Sequence, residues 1–143
     1  MNPPYKGSCL CGQITFEFDS ISPRVAHCHC SMCRKFHGAA FATIGSVPVS
    51  AFRWTKGENE LQGYSANNDT TRTFCRNCGS SLQFASSKAD SGFREIALGC
   101  VDDDLPIEPK AHIFVADSAK WTKICDGLPT HPKGALVKDE EED

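Results

Sequence analysis

Apolar and polar residues alternate in short stretches along most of this chain. Within residues 13–18, the apolar Ile14, Phe16 and Phe18 occupy every second position, and polar residues lie between them. Alternation with a period of two places the apolar side chains on one face of a half-buried β-strand. Similar segments occur at residues 25–30, 39–44, 52–55, 71–74, 81–85, 95–98 and 112–115. The pattern therefore predicts a mainly β fold.

Helical periodicity is scarce in this sequence. The best candidate is a short helix over residues 31–37, inside a group of closely spaced cysteines. Turn-forming residues such as those at 56–57 and 67–69 separate the strand-like segments, and no low-complexity linker divides the chain. We expect a single domain over residues 1–138, followed by an acidic, disordered tail at residues 139–143.

The excess of negative charge in this chain comes from its last residues. The 143 residues include 15 basic and 18 acidic side chains, and the last five residues are all acidic. Removing those five leaves 15 bases against 13 acids, so the remainder is nearly neutral and offers no basic stripe for nucleic acid. No segment has the length and apolarity of a membrane span or the apolar core of a secretion signal. We therefore expect a cytoplasmic protein with neither a membrane nor a nucleic-acid partner.

Nine cysteines are the most informative residues of the composition. In a reducing cytoplasm, cysteines in this number act as metal ligands or functional thiols rather than as disulfides. Zinc favours four soft or borderline ligands in a tetrahedron, which a close pair of cysteines from each of two loops supplies. Seven of the nine lie in three clusters: Cys9 and Cys11, then Cys28, Cys30 and Cys33, then Cys75 and Cys78.

The residues that follow each cluster indicate which clusters belong together. Gly12 and Gly79 follow the first and third clusters and lead into strand-like segments, whereas Arg34 follows the middle cluster. Glycine permits a positive φ and lets backbone N–H groups approach the sulfurs. We therefore predict one closed structural zinc site formed by Cys9, Cys11, Cys75 and Cys78.

The middle cluster of Cys28, Cys30 and Cys33 then has three cysteines and no obvious fourth ligand. Three protein ligands and an open position are typical of catalytic zinc. Three thiolates on Zn²⁺ leave one net negative charge, so the metal acidifies water poorly but can hold a further thiolate and keep it nucleophilic. The cluster therefore predicts a thiol substrate.

The identity of a fourth ligand stays open at this point. If the segment around the middle cluster is extended, alternation sends His27 and His29 to the face opposite the neighbouring sulfurs. His37, one helical turn past the cluster, and Cys100 are the side chains that can reach the position. The alternatives are an open, reactive zinc and a closed, structural one.

Charged and titratable side chains follow the middle cluster directly. Arg34 and Lys35 are candidates to steady the carboxylates of an anionic thiol. His37 is the candidate for moving a proton during the reaction. The isolated Cys100 and Cys125 are expected to be small buried residues. His112 and His131 are expected to be structural or exposed to solvent.

The clusters and their neighbours resemble the glutathione-dependent formaldehyde-activating enzyme family, also called the GFA or centromere-protein-V family. The resemblance covers residues 5–120 and rests on GSCLCG at 7–12, HCHCSMCR at 27–34 and FCRNCG at 74–79. It implies a zinc-stabilised, mainly β fold of the Mss4-like type with little helix. It also implies two Zn²⁺ per chain, a structural one on Cys9, Cys11, Cys75 and Cys78 and a second one on Cys28, Cys30 and Cys33.

The same resemblance implies an activity. It implies condensation of glutathione with formaldehyde to S-hydroxymethylglutathione, a carbon–sulfur lyase reaction when written as cleavage. The leading hypothesis is thus a zinc enzyme that adds a small thiol, glutathione or a similar one, to formaldehyde or another small aldehyde. One alternative is a binding module in which both zincs are structural. Another is a redox or zinc-sensing thiol switch in the middle cluster.

Overall fold

The structure is a computed structural model that describes residues 2–65, 70–86 and 92–134. The acidic tail predicted at residues 139–143 and the turn predicted at residues 67–69 lie outside the described residues. Within the described ranges, no helix is long and apolar enough to cross a membrane.

The fold is mainly β, as the alternation predicts. The described residues form one α-helix, α1 (Ser31–His37). The strands are β1 (Tyr5–Ser8), β2 (Thr15–Phe18), β3 (Ala26–Cys28), β4 (Ala42–Pro48), β5 (Phe52–Lys56), β6 (Leu61–Ser65), β7 (Thr70–Cys75), β8 (Ser81–Ser86), β9 (Phe93–Ala97) and β10 (Ala111–Ile113). The helix predicted at residues 31–37 is confirmed with the predicted bounds, and eight of these strands overlap predicted segments.

Contacts within the chain group it into two compact units. The first consists of Met1–Ser22 and Gly45–Pro106, and the second of Pro23–Ile44 and Ile107–Asp143. That the chain acts as one domain over residues 1–138 stays a prediction.

The first unit contains two sets of antiparallel strands. β2 lies between β1 and β5, and β6 to β9 pair in sequence order. Gly7 in β1 lies opposite Phe16 in β2, and a Cβ at Gly7 would overlap the ring of Phe16. The Phe16 ring stacks on Phe52 with centroids 5.4 Å apart. The buried core of this unit includes Tyr5, Ile14, Phe16, Phe18, Val47, Leu82 and Ile96.

The second unit places β3 next to β10 and β4. β10 pairs with β3 in parallel, and β3 pairs with β4 antiparallel. The register sets His27 of β3 beside both His112 of β10 and Thr43 of β4. α1 starts three residues after β3 and ends at His37, and the next residue, Gly38, has a left-handed φ of 60°. These short elements bring cysteines and histidines together in one small region of the unit.

Candidate metal centre

The first and third cysteine clusters come together in the first unit. The Sγ atoms of Cys9, Cys11, Cys75 and Cys78 all lie within 4.8 Å of one another. Cys11 Sγ is 3.6 Å from Cys9 Sγ and 3.8 Å from Cys75 Sγ. Four thiols at this spacing supply the donor set and the geometry that a tetrahedral metal ion needs. The group can therefore hold a metal ion, and it consists of the four residues that the flanking glycines indicated.

Two turns with left-handed glycines position these sulfurs. Gly12 has φ 79° and Gly79 has φ 82°, as the sequence predicted. The Gly12 N–H donates to the carbonyl of Cys9 at 3.0 Å, and the Gly79 N–H donates to that of Cys75 at 2.7 Å. Each turn folds back on its first cysteine, and the N–H of Ile14 donates to Cys9 Sγ at 3.3 Å. The backbone thus presents hydrogen-bond donors to sulfur, which favours the thiolate form.

The four thiols differ in their electrostatic surroundings. The Ser80 hydroxyl, 3.3 Å from Cys78 Sγ, donates to that sulfur and lowers the pKa of Cys78 to about 5. A hydrogen bond from the Asn77 side chain lowers the pKa of Cys11. Burial raises the pKa of Cys75 to about 11. The two more accessible thiols therefore ionise readily, whereas Cys75 needs the charge of a bound cation to become a thiolate.

The middle cluster lies in the second unit, around the start of α1. Cys28 is the last residue of β3, Cys33 lies in α1, and both are buried. A hydrogen bond with Cys33, together with burial, raises the pKa of Cys28. Cys30 lies between the strand and the helix and is half-buried. Cys28 and Cys33 are thus in direct contact, with Cys30 next to them in the sequence.

A second compact group of potential ligands is not one that the sequence analysis singled out. Among the described residues, the groups whose ligand atoms all lie within 4.8 Å are the four cysteines above and the trio His27, His112 and Asp126. The middle cysteines do not form a third group at that spacing. The sequence does not reveal this trio, because His27 and His112 are far apart in the chain and become neighbours only through the parallel pairing of β3 with β10.

The histidines that flank Cys28 have hydrogen-bond partners of their own. His27 Nδ1 is 2.8 Å from Thr43 Oγ1, and His29 Nε2 is 2.8 Å from His112 Nδ1. Both side chains therefore turn to neighbours other than the middle sulfurs, in line with the prediction that they are poor candidates for a fourth ligand there.

The charged and titratable residues of α1 have distinct environments. Arg34 is half-buried, and its Nε donates to the carbonyl of Asp117 at 3.2 Å. Lys35 is exposed. The half-buried His37 lies at the end of the helix, where its ring contacts Phe36 with centroids 5.0 Å apart. No potential metal-ligand group among the described residues includes His37.

The isolated cysteines differ from each other. Cys100 is half-buried in the first unit and donates to the carbonyl of Ser81 at 3.3 Å, and burial raises its pKa to about 11. The expectation that Cys125 is buried is wrong, because this residue is exposed on a segment without regular secondary structure. His112 is buried, with 2% of its surface exposed.

The fold and these clusters define a class of mainly β proteins that carry cysteine-rich metal-binding turns. The chain belongs to the family described as glutathione-dependent formaldehyde-activating enzyme (GFA), whose model matches residues 4–117. The resemblance seen in the sequence is thereby confirmed, and the matched range contains all seven clustered cysteines.

Individual relatives are similar over part of the chain. An uncharacterized lyase of Schizosaccharomyces pombe is 36% identical over 84 residues, which are 58% of this chain and 58% of that protein. A Phaeosphaeria nodorum protein provisionally named glutathione-dependent formaldehyde-activating enzyme is 30% identical over 79% of this chain and 54% of its own length. A Halomonas elongata protein with the same provisional name is 28% identical over 83% of this chain and 80% of its own. The chain thus spans little more than half the length of the first two relatives.

A solved structure shares the fold. The crystal structure of a Rhodobacter sphaeroides protein superposes with a TM-score of 0.59 at 23% sequence identity, and the match covers 71% of this chain and 91% of that one. This similarity concerns the fold alone.

Proposed function

We propose that this protein joins a small thiol, glutathione or a similar one, to formaldehyde. The thiol sulfur forms a bond to the carbonyl carbon, the C=O π bond opens, and the thiol proton ends on the former carbonyl oxygen. The product is an S-hydroxymethyl thiol, and the reverse reaction is a carbon–sulfur lyase step. The observation that carries the proposal is the family match over residues 4–117, which includes every clustered cysteine.

Cys9, Cys11, Cys75 and Cys78 fit a structural zinc ion. Four cysteine sulfurs within 4.8 Å of one another, two of them buried, are the donor set of closed zinc sites. Zinc here would tie the turn between β1 and β2 to the turn between β7 and β8. Its role in this proposal is to hold the fold of the first unit together.

Cys28, Cys30 and Cys33, whose sulfurs do not all lie within 4.8 Å of one another in the metal-free structure, would draw together to hold the second zinc ion. Zinc held by these cysteines would supply a position for a substrate thiolate and would keep that thiolate nucleophilic. Cys28 and Cys33 are buried and in contact, so they form the rigid part of the ligand set. Cys30 is half-buried and is the most accessible of the three.

The residues of α1 would bind the substrate and move its proton. Arg34 and Lys35 supply positive charge for the carboxylates of an anionic thiol, and the contact of Arg34 with the carbonyl of Asp117 orients its guanidinium. His37, half-buried at the end of the helix, would carry the proton from the thiol to the oxygen of the adduct. We place the reaction in the cytoplasm, where millimolar thiol is available and cysteines stay reduced.

The experiment that tests this function measures the exchange of ¹³C-formaldehyde between its free form and its glutathione adduct by NMR. We expect the zinc-loaded protein to accelerate the exchange above the uncatalysed rate. Cys30→Ser, which alters a half-buried ligand, should lower the acceleration at least about tenfold. Cys125→Ser is the matched control, because Cys125 is exposed and lies outside the clusters.

Two results would contradict the proposal. One is an unaccelerated exchange with protein that is folded and fully loaded with zinc, which would favour a binding module with two structural zincs. The other is an unchanged rate for a folded Cys30→Ser variant, which would exclude the middle cluster as the site of reaction.

A further inference from the structure

His27, His112 and Asp126 meet in the second unit, whereas the four-cysteine group belongs to the first. One ligand atom from each of the three lies within 4.8 Å of the other two. The two histidines are direct neighbours in the parallel pairing of β10 with β3, and their ring centroids are 4.7 Å apart. Asp126 comes from the segment that follows β10 and is exposed. Two strands fix the imidazoles, and a surface residue supplies the carboxylate.

His112 is held at both of its ring nitrogens. Nε2 is 2.8 Å from Asp126 Oδ2, and Nδ1 is 2.8 Å from His29 Nε2. Since His112 is 2% exposed and His29 is fully buried, this ring cannot turn without breaking buried hydrogen bonds. The atom that faces the carboxylate is therefore fixed as Nε2.

His27 is held at one nitrogen only. Its Nδ1 is 2.8 Å from Thr43 Oγ1, which leaves Nε2 as the remaining ligand atom. In metal sites, a ligating histidine almost always has its other ring nitrogen bonded to a neighbouring group, which fixes the orientation of the ring. His27 has this arrangement through Thr43, and His112 has it through His29.

We propose that His27, His112 and Asp126 bind a divalent transition-metal ion, with Zn²⁺ the first candidate. Two imidazoles and one carboxylate suit zinc and neighbouring first-row metals, whereas Mg²⁺ and Ca²⁺ prefer oxygen ligands alone. Three protein ligands with an exposed carboxylate leave room for water at the ion. The site contains no thiol and does not depend on the proposed function.

His29 allows His112 to bind the metal without releasing a proton. With both rings neutral and Asp126 ionised, the metal-free contacts require that His112 Nε2–H donates to Asp126 and that His29 Nε2–H donates to His112 Nδ1. When the metal takes His112 Nε2, that ring carries its hydrogen on Nδ1 and donates to His29 Nε2, and His29 carries its own on Nδ1. Among the described residues, Nδ1 of His29 has no hydrogen-bond partner, so this nitrogen is available for the shifted hydrogen. Each ring has one hydrogen before and after binding.

The test uses the full chain loaded with only as much zinc as its cysteine sites take up, and Co²⁺ as the probe. Equilibrium dialysis gives the amount of Co²⁺ bound, and absorption spectra show whether sulfur is a ligand, because thiolate coordination gives intense charge-transfer bands. We expect one additional Co²⁺ per chain with visible d–d bands and no thiolate charge transfer. Asp126→Asn and His27→Gln should each weaken Co²⁺ binding by more than about 100-fold, because loss of a second-shell partner alone costs about 10- to 100-fold.

Two further variants make the result specific. Thr43→Val keeps the shape of its side chain but removes the partner of His27, and it should weaken Co²⁺ binding about tenfold. Asp117 is an exposed carboxylate of the same unit and lies outside the trio, so Asp117→Asn should change Co²⁺ binding by less than twofold. Thermal melting of each variant checks that it is folded. The proposal fails if the wild type binds no additional Co²⁺, if the bound Co²⁺ shows thiolate bands, or if folded Asp126→Asn and His27→Gln bind as the wild type does.

Discussion

The backbone N–H of Ile14 donates to the Sγ of Cys9 at 3.3 Å. This bond joins the start of the core, where Ile14 is fully buried, to the first ligand of the four-cysteine group. Packing of the first unit and geometry of its metal centre are therefore coupled, so a change at a ligand affects stability and a change in the turn affects metal binding.

Removal of one ligand from the four-cysteine group should unfold the protein. A structural zinc contributes on the order of 10 kcal/mol to folding, comparable with the whole stability of a domain of this size. We expect Cys75→Ser to lose one zinc and its cooperative thermal transition, as measured by metal analysis and circular dichroism. Cys28→Ser should stay folded and lose at most the other zinc. If both variants unfold alike, the middle cluster is structural as well.

Gly79→Ala should destabilise the protein through the backbone alone. Gly79 has φ 82°, and a Cβ there would meet no atom within 4 Å. The left-handed conformation costs an L-residue about 1–2 kcal/mol, so the free energy of unfolding in urea should fall by about that amount. Gly99→Ala is the matched control, because a Cβ at Gly99 also meets open space and its φ is not positive. Equal effects of the two substitutions would contradict this explanation.

Arg53 should add stability at neutral pH and lose its effect in acid. Its Nη1 and Nη2 bond to Asp19 at 3.0 and 3.2 Å, and its Nε bonds to Glu17 at 2.8 Å. The bonds from Arg53 to Asp19 lower the pKa of the Asp19 carboxyl from its ordinary value of 3.8. Stability from a carboxylate with a lowered pKa is present above the ordinary value and disappears as the pH falls through the lowered one.

Arg53→Met is the variant that measures this effect. We expect its Tm to lie below that of the wild type at pH 7, with a small gap because the residues are partly exposed. The gap should narrow as the pH falls below about 4 and shrink in high salt. A gap that stays constant from pH 7 to pH 2 would show that the loss comes from packing of the arginine side chain.

The parts of the fold that the sequence predicted are those with strong local signals. α1 follows directly from residues 31–37, and Gly12 and Gly79 correctly marked two left-handed turns. β1 and β6 were not predicted. Each strand is short and contains a glycine, which has no side chain and so interrupts the alternation of apolar and polar residues. In β1 that residue is Gly7, which packs under Phe16, a contact visible only once β1 and β2 are paired.

The candidate sites also differ in whether a local sequence pattern indicates them. Cysteines within a few residues of one another indicate a metal centre, and the glycines that follow two of the clusters indicated which four cysteines belong together. The environment of His112 depends instead on the parallel pairing of β10 with β3 and on a carboxylate 14 residues further along the chain. No local pattern encodes that neighbourhood. The exposure of Cys125 was missed for a related reason, since average burial of a residue type says nothing about an irregular segment.

The separation between the two halves of the four-cysteine group has a consequence for the unfolded chain. Cys11 and Cys75 are 64 residues apart in sequence. A cross-link that closes a loop of this length removes about 4 kcal/mol of conformational entropy from the denatured ensemble. A metal ion in this position would therefore act as a reversible cross-link, which a chelator would remove and a returning ion would restore.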